Sequence, residues 1–425
     1  MNILIVGAGG REHALAWKIS RSQLLTKLFI APGNGGTALL GTNVGIRDDD
    51  IEGLTAFARD NRIDLVVAGP ELPLVLGLKE ALDAVNIPCF GPCAFAAQLE
   101  GSKAFAKNMM RETGVPTADF RVFDSYDSAL EYVRAHPLPM VIKADGLAAG
   151  KGVVIAQTMA EAEGALKDMM LDRVFGDAGL TVVVEEALVG EEASFLAFCD
   201  GTTVVPMPSL QDHKRIGDND TGLNTGGMGA YSPAPVLPED TYAAMSDLAI
   251  RPITTHLASI GQPFKGVLYA GLMMTEKGPM VLEYNVRFGD PECQPLMARL
   301  KSDLVEIMLA CVRGELDPSK VVYHKETSCC VVMAAKGYPQ SYPKGMVIEG
   351  IDEAEKVESV NVFQAGTKLQ DGRTVSSGGR VLGVTALGAD LKQARARAYE
   401  AVARISFENS YYRTDIAVKG LRRTQ

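Results

Sequence analysis

The sequence predicts a three-part protein of α/β and α+β class. It places a parallel α/β domain over residues 1–100, a larger α+β domain over 101–325 and a small α+β domain over 326–425. Three observations carry this. Residues 1–100 alternate short apolar strands (3–6, 27–30, 65–68, 88–90) with helical patterns (12–20, 51–61, 74–85), which predicts a parallel sheet covered on both faces. From 120 to 190 the order becomes helix 125–135, strand 140–143, a glycine-rich loop, strand 153–156, helix 159–171 and strand 181–186. From about 325 the pattern changes again, with strands 328–335 and 380–386 leading to helix 391–405. Asp390 is its N-cap, and Leu391, Ala394, Ala398, Ala401, Val402 and Ile405 form one apolar face. A chain of 425 residues accommodates about three domains.

Between these units, Ser102 is a good N-cap for a helix running through Glu112, and Gly114-Val115-Pro116 stops it. Residues 195–315 read as a larger mixed sheet with long loops and a closing helix over 304–313. Hydrophobic residues make up 47% and charged residues 22%, the composition of a soluble chain with a sizeable core. No apolar run reaches the roughly 18 residues of a membrane helix, so no membrane partner is expected. The opening residues run straight into a glycine turn, as a buried strand does and a signal peptide does not.

The net charge of −10 excludes a nonspecific nucleic-acid binder. An anionic substrate must therefore be held by local basic groups and backbone amides. The 7 cysteines form no Cys-x-x-Cys and the 5 histidines are scattered. A reducing, cytoplasmic compartment and no structural zinc are expected.

Gly7-Ala8-Gly9-Gly10-Arg11-Glu12 follows the first strand and opens a helix, whose free N–H groups suit a phosphate. A dinucleotide fingerprint wants a third glycine where Glu12 stands and an acidic residue after the second strand. That strand instead meets Ala31-Pro32-Gly33-Asn34-Gly35-Gly36. A nicotinamide site is disfavoured; a phosphate site of another kind and a plain tight turn stay open. Lys143-Ala144-Asp145-Gly146-Leu147-Ala148-Ala149-Gly150-Lys151-Gly152 is not a P-loop, because the spacing is short and Gly152 stands where Ser or Thr would bind magnesium. Apolar segments on both sides predict a hairpin, so the loop reads as a glycine flap over a triphosphate, with Lys143 pointing at the phosphates. An ordinary Gly/Ala hairpin is the plain alternative.

Val182-Val183-Val184-Glu185-Glu186 ends a buried strand in carboxylates, which could accept from an adenine amino group or ribose hydroxyls; a solvated acidic turn is the alternative. Gln211-Asp212-His213-Lys214-Arg215, followed by Asn224-Thr225-Gly226-Gly227-Met228-Gly229, offers cations and amides to an anionic substrate, unless it is a surface loop. In Leu282-Glu283-Tyr284-Asn285-Val286-Arg287, strand alternation puts Glu283, Asn285 and Arg287 on one face. Two oxygen ligands and a guanidinium there match magnesium plus phosphate, although alternation alone is common.

The order of these loops resembles the ATP-grasp superfamily, and more closely its phosphoribosylamine–glycine ligase family, over essentially the whole chain. The resemblance runs through 7–13, Ala31-Pro32-Gly33-Asn34, Gly69-Pro70-Glu71, Leu99-Glu100-Gly101-Ser102-Lys103, the 143–152 flap, 211–215, 224–233 and 282–292. Leu223 and Leu72 depart from the usual Pro and Ala, and neither removes a charged group. The resemblance implies an ATP-grasp domain over 101–325 with a mobile lid at about 120–193. It implies ADP-forming ligation of glycine to 5-phosphoribosylamine through glycyl phosphate, with ATP and Mg²⁺ or Mn²⁺, in a cytoplasmic monomer.

By the same resemblance Lys103 and Lys143 hold ATP phosphates beneath Gly146, Gly150, Lys151 and Gly152. Glu185, Glu186 and the Leu188 backbone take adenine, and Glu192 takes ribose. Glu283 and Asn285 bind the metal, while Arg287 steadies the γ-phosphate or acyl phosphate. Gly9, Gly10, Asp212, Lys214, Gly226, Gly227 and Gly229 line the glycine and phosphoribosylamine site, with Lys143, Asp212, Lys214 and Arg287 implied in catalysis. A sister ATP-grasp ligase or carboxylase, and a nucleotide-binding oxidoreductase, are the competing readings.

Overall fold

The computed structural model describes residues 1–147 and 152–424. Its N-terminal sheet has five parallel strands in the order Thr42–Asn43, Lys27–Pro32, Asn2–Gly7, Leu65–Ala68 and Cys89–Phe90. Ile3, Leu4, Ile5 and Val6 are wholly buried, as continuous apolar runs in a sheet covered on both faces must be. The strand order reverses direction at Asn2–Gly7, so the turn after Gly7 sits at the switch point where open α/β sheets place ligands. The single helix expected over 74–85 is two, Leu72–Val75 and Leu78–Asp83, because Gly77 between them has φ +90° and breaks the run.

The helix Lys103–Thr113 starts as predicted, with the Ser102 hydroxyl accepting the Phe105 N–H at 3.0 Å, and ends at Gly114 with φ +72°. It leads into a four-stranded antiparallel sheet in the order Phe120–Phe123, Val182–Glu186, Met140–Ala144 and Val153–Ala156. With helices Tyr126–Ala135 and Met159–Leu166 this unit encloses a core of its own, drawn from residues 129–184. The second helix continues as a wider turn through Leu171. The unit's sheet ends at Glu186, and the next strand, Glu191–Asp200, belongs to the following sheet.

That sheet runs Val204–Pro206, Glu191–Asp200, Lys265–Thr275, Gly278–Asn285. It was expected to be mixed and is antiparallel throughout. The reason is local: only two residues separate Thr275 from Gly278, and a parallel neighbour needs a crossover of a dozen or more. The ladder slips between Gly271, which pairs with Glu283, and Leu272, which pairs with Val281, a bulge next to Glu283.

The C-terminal sheet is Val360–Gln364, Arg380–Gly388, Thr327–Ala335, Gly229–Ser232 and Gln211–Asp212, with Ser410–Tyr411 also on Thr327–Ala335. Two of its strands come from the 211–232 segment, so that segment is stitched into the last domain. The helix Leu391–Val402 packs on it, its Asp390 carboxylate accepting the Gln393 N–H at 2.7 Å. Among the described residues no helix is long and apolar enough to cross a membrane.

The Ala31–Gly36 stretch joins the first domain to the last. The Asn34 amide donates to the carbonyls of Ala8 and Gln364, both at 2.9 Å, and the Gln364 N–H donates to His13 Nδ1 at 2.7 Å. His13 is buried, which pushes its pKa from 6.5 down to about 4, so it is neutral in the fold. Between those values the unfolded chain binds a proton that the folded chain does not. Stability therefore falls on acidification through this window, by about 1.4 kcal/mol per pH unit for this group. Thermal melts from pH 7.5 to 5 are expected to show the decline, with a shallower slope in His13→Asn. Equal slopes would remove the assignment.

Candidate active site

The site starts with three side chains at the base of the 120–186 unit. Met140–Ala144 carries Lys143, Val182–Glu186 carries Glu185, and Lys103–Thr113 carries Lys107. The Glu185 carboxylate sits 3.0 Å from both ammoniums, and Lys107 also donates to Thr117 Oγ1 at 2.7 Å. All three are buried, Lys107 and Glu185 with side chains only 2% exposed. Burial pushes Lys107 down to about 8, with Glu185 opposing. Glu185 Oε1 is buried against the Lys143 ammonium, 3.0 Å away, and accepts no hydrogen bond from an N–H or O–H of the other described residues. Glu186 projects to the opposite face, exposed, and accepts the Asp119 N–H at 3.1 Å, outside this cluster.

The flap's first residues are anchored. Asp145 accepts the Ala104 N–H at 2.6 Å and the Ser102 hydroxyl at 3.0 Å, at the start of the helix Lys103–Thr113. Lys103 Nζ donates to the Gly146 carbonyl at 3.0 Å, so flap and lysine meet. Gly152 returns the loop by accepting the Ala144 N–H at 2.8 Å. Ala148, Ala149, Gly150 and Lys151 lie outside the described residues.

Lys143 lies 3.5 Å from the carbonyl of Leu282, which brings it beside Glu283 on Gly278–Asn285. Burial pushes the Glu283 carboxyl up, but Lys214, Lys143, Lys103 and Arg287 outweigh it and hold the group ionised, below its ordinary range. Lys214 bridges Glu192, at 2.8 Å, and Glu283, at 4.0 Å. Among the described residues no three His, Cys, Asp or Glu side chains gather as a metal site. An ionised Glu283 with Asn285 on the same face is nonetheless a hard, all-oxygen pair. That fits a magnesium ion which completes its shell from phosphate and water.

Arg287 lies just past the strand and is held by two carboxylates the sequence reading did not single out. Its Nε donates to Glu71 at 3.2 Å, and its other donors reach Glu100 and the Phe288 carbonyl. Burial pushes Glu100 up to about 7, opposed by Arg287. Both acids stand in motifs of the chain, Gly69-Pro70-Glu71 and Leu99-Glu100-Gly101-Ser102-Lys103. Their separation of 29 positions hid that they share one guanidinium.

The Gly9-Gly10 turn is packed with carboxylates. Glu12 accepts the Gly9 N–H at 2.5 Å and Arg11 Nε at 2.6 Å, while Asp290 accepts the Arg11 N–H at 3.3 Å. The residue in place of the third fingerprint glycine thus fills the turn with its own carboxylate, which works against a pyrophosphate there. A Cβ on Gly9 would meet Asp290 Oδ2 at 2.9 Å, and one on Gly10 would meet Gln294 Nε2 at 2.6 Å. The turn is therefore apposed directly to residues 290–294.

Asp212 stands among Lys214, Glu292 and Glu192; burial, opposed by Lys214 and reinforced by Glu292, pushes it up to about 7. Glu292 is buried and accepts the Tyr269 hydroxyl at 2.7 Å. The Gly226 and Gly227 amides donate internally, to Tyr338 Oη and Thr225 Oγ1, both at 3.0 Å. Arg380, from the last domain, donates to the Gly226 carbonyl at 2.6 Å and faces the Asp290 carboxylate at 3.5 Å. Gly229 packs against the Cys330 carbonyl and is a structural contact. Arg380 follows Gly378-Gly379, and that glycine pair was the one available hint of a close backbone approach.

Two α+β units closing on a cleft of lysines and carboxylates, behind a parallel α/β domain, define an ATP-grasp enzyme. Comparison with known proteins specifies which. Family models for phosphoribosylglycinamide synthetase match residues 1–100 (N domain), 101–293 (ATP-grasp (A) domain) and 328–419 (C domain). The chain belongs to the phosphoribosylglycinamide synthetase family. It is 50% identical over 427 residues to the phosphoribosylamine–glycine ligase of Rhodopirellula baltica, covering 99% of this chain and 98% of that one. It is 51% identical over 429 residues to that of Escherichia coli O157:H7, covering 100% of both. The crystal structure of phosphoribosylamine–glycine ligase from Thermotoga maritima superposes with a TM-score of 0.87 at 34% identity, covering 98% of this chain and 100% of that one.

Proposed function

We propose that the protein ligates glycine to 5-phosphoribosylamine, consuming ATP and releasing ADP and phosphate. The observation that carries this is the continuous chain of charge from Lys143 past Glu283 to Lys214 and Asp212. It runs from the end suited to a nucleotide to the end suited to a small substrate.

A carboxylate acylates poorly until one oxygen becomes a leaving group. A glycine carboxylate oxygen attacks the γ-phosphorus, the bond to the ADP oxygen breaks, and glycyl phosphate forms. The sugar amine then attacks the glycyl carbonyl, phosphate leaves, and the nitrogen loses a proton. Phosphoryl transfer needs positioning and charge neutralisation more than covalent help. Lys103 and Lys143 supply charge at the phosphates, and Glu185 takes the adenine amino group. Arg287, locked by Glu71 and Glu100, presents its remaining donor surface to the acyl phosphate. Magnesium or manganese, when held by Glu283 and Asn285, neutralises phosphate charge. Asp212 takes the proton lost by nitrogen.

Glycine labelled with oxygen-18 in its carboxylate is expected to yield phosphate carrying one labelled oxygen per turnover, with ADP as the nucleotide product. Mass spectrometry and chromatography read both. Unlabelled phosphate, or AMP with pyrophosphate, would overturn the acyl-phosphate route.

The 120–186 unit closes over the nucleotide as a lid, because its core is separate from those of its neighbours. Backbone exchange over 140–147 and 152–156 is expected to slow when ATP and magnesium bind. Exchange that is already slow and unaffected by ATP would refute closure.

A further inference from the structure

Arg413 is the largest side chain among those fully buried in the described structure, with 0% exposure, and none of the chemistry above uses it. It donates to Asp415 through two nitrogens at 2.8 and 2.7 Å, to Asp220 at 3.0 Å and to the Arg215 carbonyl at 3.0 Å. Its neighbours repeat the pattern. The Thr414 N–H donates to Asp218 at 2.8 Å, the Asn219 N–H to Asp415 at 2.8 Å, and Tyr411 Oη to the Ile216 carbonyl at 2.9 Å. Lys419 pairs with Asp220, and the Ala417 N–H points at His213 Nε2 at 3.4 Å. The whole 411–419 segment is thus bonded to 213–220, almost two hundred positions earlier.

Burying a guanidinium between carboxylates contributes little net stability, since apolar replacements of such networks are often neutral or stabilising. Their attested use is to select one register. What this network registers is the hairpin Arg215–Gly217 with Thr221–Asn224, whose outgoing strand begins one residue after Lys214. Asp218 and Asp220 are half-buried and bond to the C-terminal segment.

We propose that the C-terminal segment is a latch in which Arg413, as a positioning residue acting through Asp220 and the Arg215 carbonyl, sets Asp212 and Lys214 for the small substrates. Lys214 is bonded on one side to Glu192 and Glu283 and tied on the other to this hairpin. A shift of the hairpin moves its ammonium and the Asp212 carboxylate together. Lys103, Lys107, Lys143 and Glu185 have no bond to the latch among the described residues, and Glu192, placed by resemblance at the ribose, meets it through Lys214.

This inference rests on the proposed ligation, and wild-type enzyme forming ADP only with both glycine and phosphoribosylamine is the control for that reading. Given an active wild type, Arg413→Met and Asp220→Asn are expected to raise the KM for glycine or phosphoribosylamine about tenfold, the scale of a small misplacement. The KM for ATP should rise less than that for the small substrates, because only Glu192 of the nucleotide residues leans on Lys214, and Arg413→Lys should recover part of the loss. The helix Leu391–Val402 is itself bonded to the latch, through Tyr399 to the Arg413 carbonyl and Arg395 to the Thr414 carbonyl, so the control lies elsewhere. Val362→Ala, on the edge strand Val360–Gln364, loosens the same domain away from the latch and should leave every KM near wild type. If Arg413→Met does not fold, Asp220→Asn and Arg413→Lys carry the test. Substrate KM values within twofold of wild type in the folded variants, or the same shift in Val362→Ala, would overturn the latch. A rise in the KM for ATP equal to that for the small substrates would overturn it as well.

Discussion

Glu283→Gln is expected to lower turnover by about 10² to 10³ while the protein stays folded, the range for removing one pre-organised charge at a transition state. The substitution keeps the shape and one oxygen donor but removes the negative charge that Lys214, Lys143, Lys103 and Arg287 keep ionised. Two effects follow with different signatures. Affinity for the divalent ion drops, which manganese relaxation measures without any turnover. Lys214, left with Glu192 as its close partner at 2.8 Å, stays at its post, so the KM for glycine should move less than the metal dependence. Near-wild-type turnover at saturating magnesium would remove Glu283 from the metal site.

Lys143→Met should cost a similar factor. The lysine is 9% exposed and holds Glu185 at 3.0 Å, with Lys107 on the other side of that carboxylate. Removing it withdraws the phosphate-facing charge and leaves Glu185 with Lys107 alone, so ATP binding and transfer should both suffer. Lys107→Met, by contrast, leaves Lys143 facing the phosphates and should act mainly on the KM for ATP. Lys143→Arg should rescue little, because a planar fork does not replace a compact ammonium in a buried cleft. If Lys143→Met turned over at the wild-type rate, the phosphate assignment would be untenable.

Much of this was legible in the chain. The parallel N-terminal sheet followed from uninterrupted apolar runs between helical patterns, and the caps Ser102 and Asp390 stood where their hydroxyl and carboxylate were needed. The lysine of the flap strand, the strand-end acid Glu185 and the Glu283/Asn285 pair were each marked by charge next to buried strands. Glu185 and Glu186 read alike in sequence; the pleat sends one to the lysines and the other to solvent. The helix over 74–85 failed on a single glycine, whose left-handed backbone is not apparent from propensity.

The sequence by itself determined the order and type of the elements, because capping, periodicity and turn residues act over a few positions. It also determined the inventory of charges available to a site. Tertiary structure alone decided the pairings. Glu71 and Glu100 meet on Arg287, Arg380 reaches Asp290 and the Gly226 carbonyl, the 31–36 loop locks onto residues 364–367, and Arg413 closes on Asp220. The physical reason is that a buried charge must find its counter-charge wherever the fold brings one, and that distance along the chain carries no trace of it.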